Sequence, residues 1–138
     1  MASSGSNGSE NGQFDGPYGV IFDQWNDQIV VADSSNHRIQ IFDEKGTFLR
    51  TFGSVGNGDG QLTYPEGVVV DQQGNYVVTD YGNHRIQIFN SQGQFVWKFG
   101  LTGAGSGRLK GPCGVSLLSN GNIVVSEYDG NRLQIFDP

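Results

Sequence analysis

Between residues 67 and 99 the chain alternates short apolar runs with polar turns. The runs are "GVVV" (67–70), "YVVT" (76–79), "RIQIF" (85–89) and "FVWKF" (95–99). Each is too short for a helix and rich in β-branched or aromatic residues, so each predicts a strand. The separators "DQQGN" (71–75), "DYGNH" (80–84) and "NSQGQ" (90–94) are hairpin-sized and carry turn-forming residues. The first two runs are almost continuously apolar, as in a strand covered on both faces. The third alternates, with Ile86 and Ile88 on one side and Arg85, Gln87 and Phe89 on the other. The fourth carries Lys98 and belongs further out. The expected order is therefore inner strand first and outer strand last.

The same pattern occurs three times. "NHRIQIFD" (36–43) returns as "NHRIQIFN" (83–90) and as "GNRLQIFD" (130–137), which sets Arg38, Arg85 and Arg132 at intervals of 47 residues. A second anchor precedes each copy: Pro17-Tyr18-Gly19-Val20, Pro65-Glu66-Gly67-Val68 and Pro112-Cys113-Gly114-Val115, spaced 48 and then 47. The extra residue falls in "QWNDQ" (24–28). Self-similarity at this period marks a repeat architecture, and four antiparallel strands per repeat describe the blades of a propeller. The copies run over about 14–61, 62–108 and 109–138. Residues 1–13 are expected to be a flexible N-terminal segment or the remnant of an interblade loop. The third copy reaches Phe136-Asp137-Pro138, where the first continues through "EKGTFLRTFG" (44–53), so eleven strands are expected and the third blade lacks its outer one.

Pro-x-Gly-Val, an apolar strand ending in Asp, Asn-His-Arg-Ile-Gln-Ile-Phe, then Gly-x-Phe and Phe-Gly together resemble the NHL repeat. The resemblance covers residues 14–138. The first two copies follow it closely. The third departs, with Asn131 in place of His37 and His84, and Glu127 in place of Asp33 and Asp80. It implies an all-β, NHL-type propeller segment of three blades, half of a six-bladed ring. The wording is most similar to the propellers of TRIM-NHL proteins, which implies binding of a protein partner or of RNA. Their RING, B-box and coiled coil have no counterpart here, so ligase activity does not carry over.

Composition narrows this reading. Glycine, at 22 of 138 residues, fits a turn-rich folded chain. No apolar stretch is long enough to span a membrane, and the start "MASSGSNGSE" lacks the features of a signal peptide. The lone cysteine, Cys113, excludes an internal disulfide and fits a reducing, cytoplasmic setting. A net charge of −6 with scattered basic residues argues against RNA, whose binding draws heavily on phosphate contacts.

Candidate chemistry is sparse. His37 and His84 each follow a strand ending in aspartate (Asp33 and Asp80), a pairing that suits catalysis or a metal. Equivalent positions in successive blades point in different radial directions, so Asp33, His37, Arg38, Asp80, His84, Arg85 and Arg132 are read as structural. Cys113 occupies a position filled elsewhere by Tyr18 and Glu66, which describes a variable rim and not a nucleophile. The glycine-rich stretches 53–61 and 100–108 lack the ending of a phosphate loop and read as flexible interblade connections. Tyr18, Glu66, Tyr81, Cys113 and Tyr128 remain as rim candidates for partner binding, with Asp129 beside them. The expected function is a non-catalytic binding or scaffold module with no cofactor. The alternatives are a metal-dependent lactonase or lyase, and an assembly-only propeller fragment without a ligand. Three blades leave an open arc, so a homodimer closing one six-bladed ring is expected.

Overall fold

The computed structural model describes residues 1–100, 105 and 107–138. Eleven strands form three antiparallel sheets, and the described residues contain no α-helix. Blade one holds β1 (Pro17–Asp23), β2 (Gln28–Asp33), β3 (Arg38–Asp43) and β4 (Phe48–Phe52). Blade two holds β5 (Pro65–Val70), β6 (Tyr76–Asp80), β7 (Arg85–Phe89) and β8 (Phe95–Phe99), and blade three holds β9 (Pro112–Leu117), β10 (Ile123–Glu127) and β11 (Arg132–Phe136). Each sheet keeps chain order from strand to strand. Blades meet through their first strands, β1 against β5 and β5 against β9. This is an arc of a propeller with the first strand innermost.

The hairpins close as their residues dictate. Asp43 Oδ1 accepts the N–H groups of Lys45 and Thr47, Asp71 Oδ1 those of Gln73 and Asn75, and Asn90 Oδ1 those of Gln92 and Gln94. A short side chain that caps its own turn favours such a bend. The glycine that follows takes a positive φ, 82° at Gly74 and 80° at Gly93.

Two apolar layers lie between the blades. The first gathers Val30, Ala32, Ile39 and Ile41 of blade one against Val68, Tyr76, Val78 and Phe89 of blade two. The second gathers Val77, Ile86 and Ile88 of blade two against Ile123 and Val125 of blade three. Phe52 packs 4.8 Å from Phe89, and Phe99 packs 4.7 Å from Phe136, centroid to centroid. Burying an aliphatic or aromatic side chain of this size stabilises by about 1.5–3 kcal/mol. These layers are therefore the main source of cohesion between blades.

The Pro-x-Gly anchor has a steric reason. A Cβ on Gly67 would lie 2.5 Å from the Cys113 carbonyl oxygen, and one on Gly19 would run into the Glu66 carbonyl oxygen. Only glycine lets the inner strands approach this closely. The interblade stretch 53–61 lies across blade two, and residues 4–14 lie across blade one in the same manner, joined by a Phe14–Phe42 ring contact at 5.4 Å. Of the stretch 100–108, residues 101–104 and 106 fall outside the described residues.

Candidate functional site

The repeated polar residues form one clasp per blade. In blade two, Asp80 is fully buried at the end of β6 and pairs in register with Arg85 at the start of β7. Arg85 Nε donates to Asp80 Oδ2 at 2.6 Å. The remaining guanidinium nitrogens donate to the carbonyls of Asn57, Gly58 and Gln61 in the preceding interblade loop. Gln87 accepts from Gly60 N–H and donates to Gln61 O and Asp80 Oδ2. Thr63 N–H completes the carboxylate shell at Oδ1. Blade one repeats the arrangement: Asp33 holds Arg38 at 2.9 Å, Arg38 holds the carbonyls of Ser9, Glu10 and Gln13, and Gln40 joins them. Among the described residues no buried side-chain nitrogen or oxygen lacks a partner. A buried ion pair is tolerated only when its remaining donors and acceptors are satisfied in this way.

Blade three carries the altered version. Glu127 holds Arg132 and Gln134, and accepts the Lys110 N–H at 2.7 Å. Burial pushes the Glu127 carboxyl up, but the bonds from Arg132, Gln134 and the Lys110 N–H outweigh it and hold the carboxyl below its ordinary value. The longer glutamate reaches the equivalent arginine, glutamine and loop N–H, while Gly130 stands where Asn36 and Asn83 donate to the aspartates of blades one and two.

The histidines do not pair with the aspartates. His37 and His84 close the turns after β2 and β6 in the left-handed region, both at φ 55°. His37 Nδ1 accepts the Tyr64 N–H at 3.0 Å, and His84 Nδ1 accepts the Gly111 N–H at 3.0 Å. Each imidazole thus staples its own blade to the loop entering the next. Asn131 occupies the equivalent position in blade three at φ 51°. Asparagine adopts this conformation readily.

The variable positions converge instead. Tyr18, Glu66, Tyr81, Cys113 and Tyr128 all line one concavity of about 590 Å³ on the inner end of the arc, floored by the backbone of Gly19, Gly67 and Gly114. Tyr18 and Tyr128 are 69% and 72% exposed. Tyr81 Oη donates to Asp129 Oδ2 at 3.1 Å across the junction between blades two and three. That bond, then burial, then the nearby acids push the Tyr81 phenol up, so it stays protonated. The Glu66 carboxyl is also pushed up, by burial first and by Asp129 second. Cys113 Sγ lies 3.5 Å from both Ser126 oxygens, within sulfur hydrogen-bonding range. A second concavity, of about 470 Å³, opens at the opposite end and is lined by Trp25, Val70 and Leu117. No group of three or more His, Cys, Asp or Glu side chains converges as a metal site among the described residues.

The sequence alone pointed to the rim but not to the glutamines of the clasps. Gln40, Gln87 and Gln134 recur at one position of the alternating third strand. The available signal was a polar residue repeated on a face that must be buried.

The comparisons with known proteins agree with the repeat. Residues 14–42 and 62–89 match the NHL repeat family. Protein brain tumor of Drosophila melanogaster is 49% identical over 76 residues, covering 54% of this chain and 7% of that protein. RING finger protein nhl-1 of Caenorhabditis elegans is 43% identical over 64 residues, covering 46% and 6%. The chain therefore spans only a small fraction of the curated relatives it matches. A streptogramin B lyase structure superposes with a TM-score of 0.67 at 22% identity, covering 87% of this chain and 37% of that one. An inactive virginiamycin B lyase from Staphylococcus aureus with quinupristin gives 0.64 at 15% identity, covering 89% and 41%. At such identities the likeness speaks for the fold alone. With two matched repeats, two four-stranded sheets and one three-stranded sheet stacked side by side, and these neighbours, the chain carries NHL repeats and folds as an arc of a β-propeller, similar in its repeats to TRIM-NHL proteins.

Proposed function

We propose that the chain is a non-catalytic binding module whose rim concavity receives a protein partner. The carrying observation is the contrast between repeated and variable residues. The repeated Asp, Arg and Gln side chains are consumed by the clasps. The variable ones gather around a single open concavity with two exposed tyrosines. Tyrosines on a rigid frame offer large contact area at low entropic cost. The net charge of −6 and the rim acids favour protein over RNA. The metal-dependent lyase reading gains no comparable support, since His37 and His84 spend Nδ1 on two separate interblade loops. The lone cysteine fits work in the cytoplasm.

A second observation supports self-association. Val20 and Phe22 on the outer face of blade one are 64% and 52% exposed, while the equivalent Val68 of blade two is 2% exposed. Leu133 and Ile135 on the far face of blade three are 63% and 56% exposed. These faces match the two halves of the internal junctions, so a second copy could supply both and close a six-bladed ring. Native mass spectrometry at micromolar concentration should show the dimer, and a folded monomer would contradict this part.

The test of the binding reading is a peptide-display selection on the chain, run beside a single-stranded RNA library at physiological salt. Enriched peptides are expected. Failure to enrich any peptide, or an RNA bound well below the ~10⁻⁶ M limit of non-specific contacts, overturns it.

A further inference from the structure

The rim concavity has a sign as well as a shape. Its lining includes Glu66 and the rings of Tyr18, Tyr81 and Tyr128, with no Lys or Arg. An adjoining hollow, lined by Glu127, Tyr128 and Asp129 among others, also lacks a basic residue. Glu66 is half-buried, no hydrogen bond to its carboxylate is formed among the described residues, and burial, then Asp129, push the carboxyl up. The acids Asp129 and Glu66 act together on Tyr81. A partly desolvated carboxylate without a donor, beside a second acid, is a costly arrangement that a cation would relieve.

We propose, building on the binding-module reading above, that the concavity accepts a cationic side chain, an arginine on a basic segment of the partner protein. Its guanidinium would lie against Glu66 and the tyrosine rings, on the side where Tyr81 holds Asp129 of the adjoining hollow. Arginine suits this site better than lysine for three reasons. It is planar, it donates in a fixed fork that can serve two carboxylates, and it stacks on aromatic faces. The Tyr81–Asp129 hydrogen bond engages Oδ2 and holds the acid at the rim. The backbone glycines Gly67 and Gly114 keep the floor open to a long side chain. The overall acidity of the chain would steer a basic segment toward this face.

The test uses defined probes on the full chain. Gly-Arg-Gly-Arg-Gly, its lysine counterpart and its glutamate counterpart are titrated to millimolar concentration while backbone amide resonances are followed. The arginine peptide should shift Gly67, Gly114 and Tyr128, the lysine peptide should bind several-fold more weakly, and the glutamate peptide should leave the rim unmoved. Glu66→Gln with Asp129→Asn should weaken the arginine peptide by about tenfold or more, as expected when a paired charge is removed. Glu66→Gln alone serves if the double variant fails to fold, with a loss of about threefold or more expected. The proposal is overturned if the arginine peptide leaves the rim unshifted, if the variants bind it unchanged, or if the glutamate peptide binds as well. Enrichment of peptides without basic residues in the selection above would defeat this inference while leaving the binding module standing. Enrichment of no peptide would defeat the module itself.

Discussion

Blades two and three are written in the same repeat, yet their third strands meet different surroundings. In blade two Ile86 and Ile88 are 0% and 9% exposed, whereas their counterparts Leu133 and Ile135 are more than half exposed. The clasp survives in both. Asp80 holds Arg85 and Glu127 holds Arg132, and in both blades the arginine reaches the carbonyls of the loop before it. The clasp is thus a local device, formed between a blade and its own entering loop. The apolar stripe is a collective device, buried only when another blade lies on it. The difference extends to the arginines, whose side chains are 8% exposed in blade two and 26% in blade three.

The sharpest way to break this comparison is to remove the arginines. Arg85→Ala leaves the fully buried Asp80 carboxylate without its charge partner, and the cost should be about 3–5 kcal/mol in urea unfolding. Arg132→Ala should cost less: the Glu127 carboxylate is as buried as that of Asp80, but the Arg132 side chain is 26% exposed against 8% for Arg85, so water can more readily take its place. Equal losses would show that the clasps do not differ as described.

The inner glycines come next. Gly67→Ala pushes a Cβ against a backbone carbonyl of the next blade and should cost about 1–3 kcal/mol. At Gly114 the nearest obstacle is the Ser126 hydroxyl, 2.6 Å away, on a side chain that can rotate. Gly114→Ala should therefore shift the unfolding midpoint much less.

His84→Ala frees the Gly111 N–H and should cost about 1–2 kcal/mol. His84→Asn should recover part of that, since Asn131 already adopts the same backbone conformation. Thermal melts of the two variants, side by side, decide it.

The smallest effect is on acid sensitivity. The folded Glu127 carboxyl lies below its ordinary value of 4.5, so its stabilisation is present above that pH and is lost as pH falls through the folded value. Unfolding midpoints measured from pH 6 down to pH 3 should fall less steeply in Glu127→Gln than in the parent chain.

Much of this was legible in the sequence. Alternation with a period of two placed Ile86 and Ile88 on one face, Asp and Asn at turn starts marked the hairpins, and the recurrence of Arg38, Arg85 and Arg132 fixed the blade spacing. The rim was legible as three unlike residues, Tyr18, Glu66 and Cys113, at one repeat position. What escaped is what a residue's letter does not carry. Arg85 is held by the carbonyls of Asn57, Gly58 and Gln61, and His84 by the N–H of Gly111, and any residue could supply those groups. For the same reason the expectation that residues 1–13 are an interblade-loop remnant did not say which of their backbone groups would hold Arg38 and Gln40.

The most direct test of the central claim, that the repeated residues build the fold while the rim binds, uses Tyr18→Ala with Tyr128→Ala. Both rings are largely exposed, so the unfolding free energy should change by no more than the small effect typical of surface substitutions, about ±0.5 kcal/mol each, and the melting temperature should stay close to the parent's. The peptides enriched by the parent chain should no longer bind this variant. Undiminished binding by a variant that melts like the parent would contradict the account.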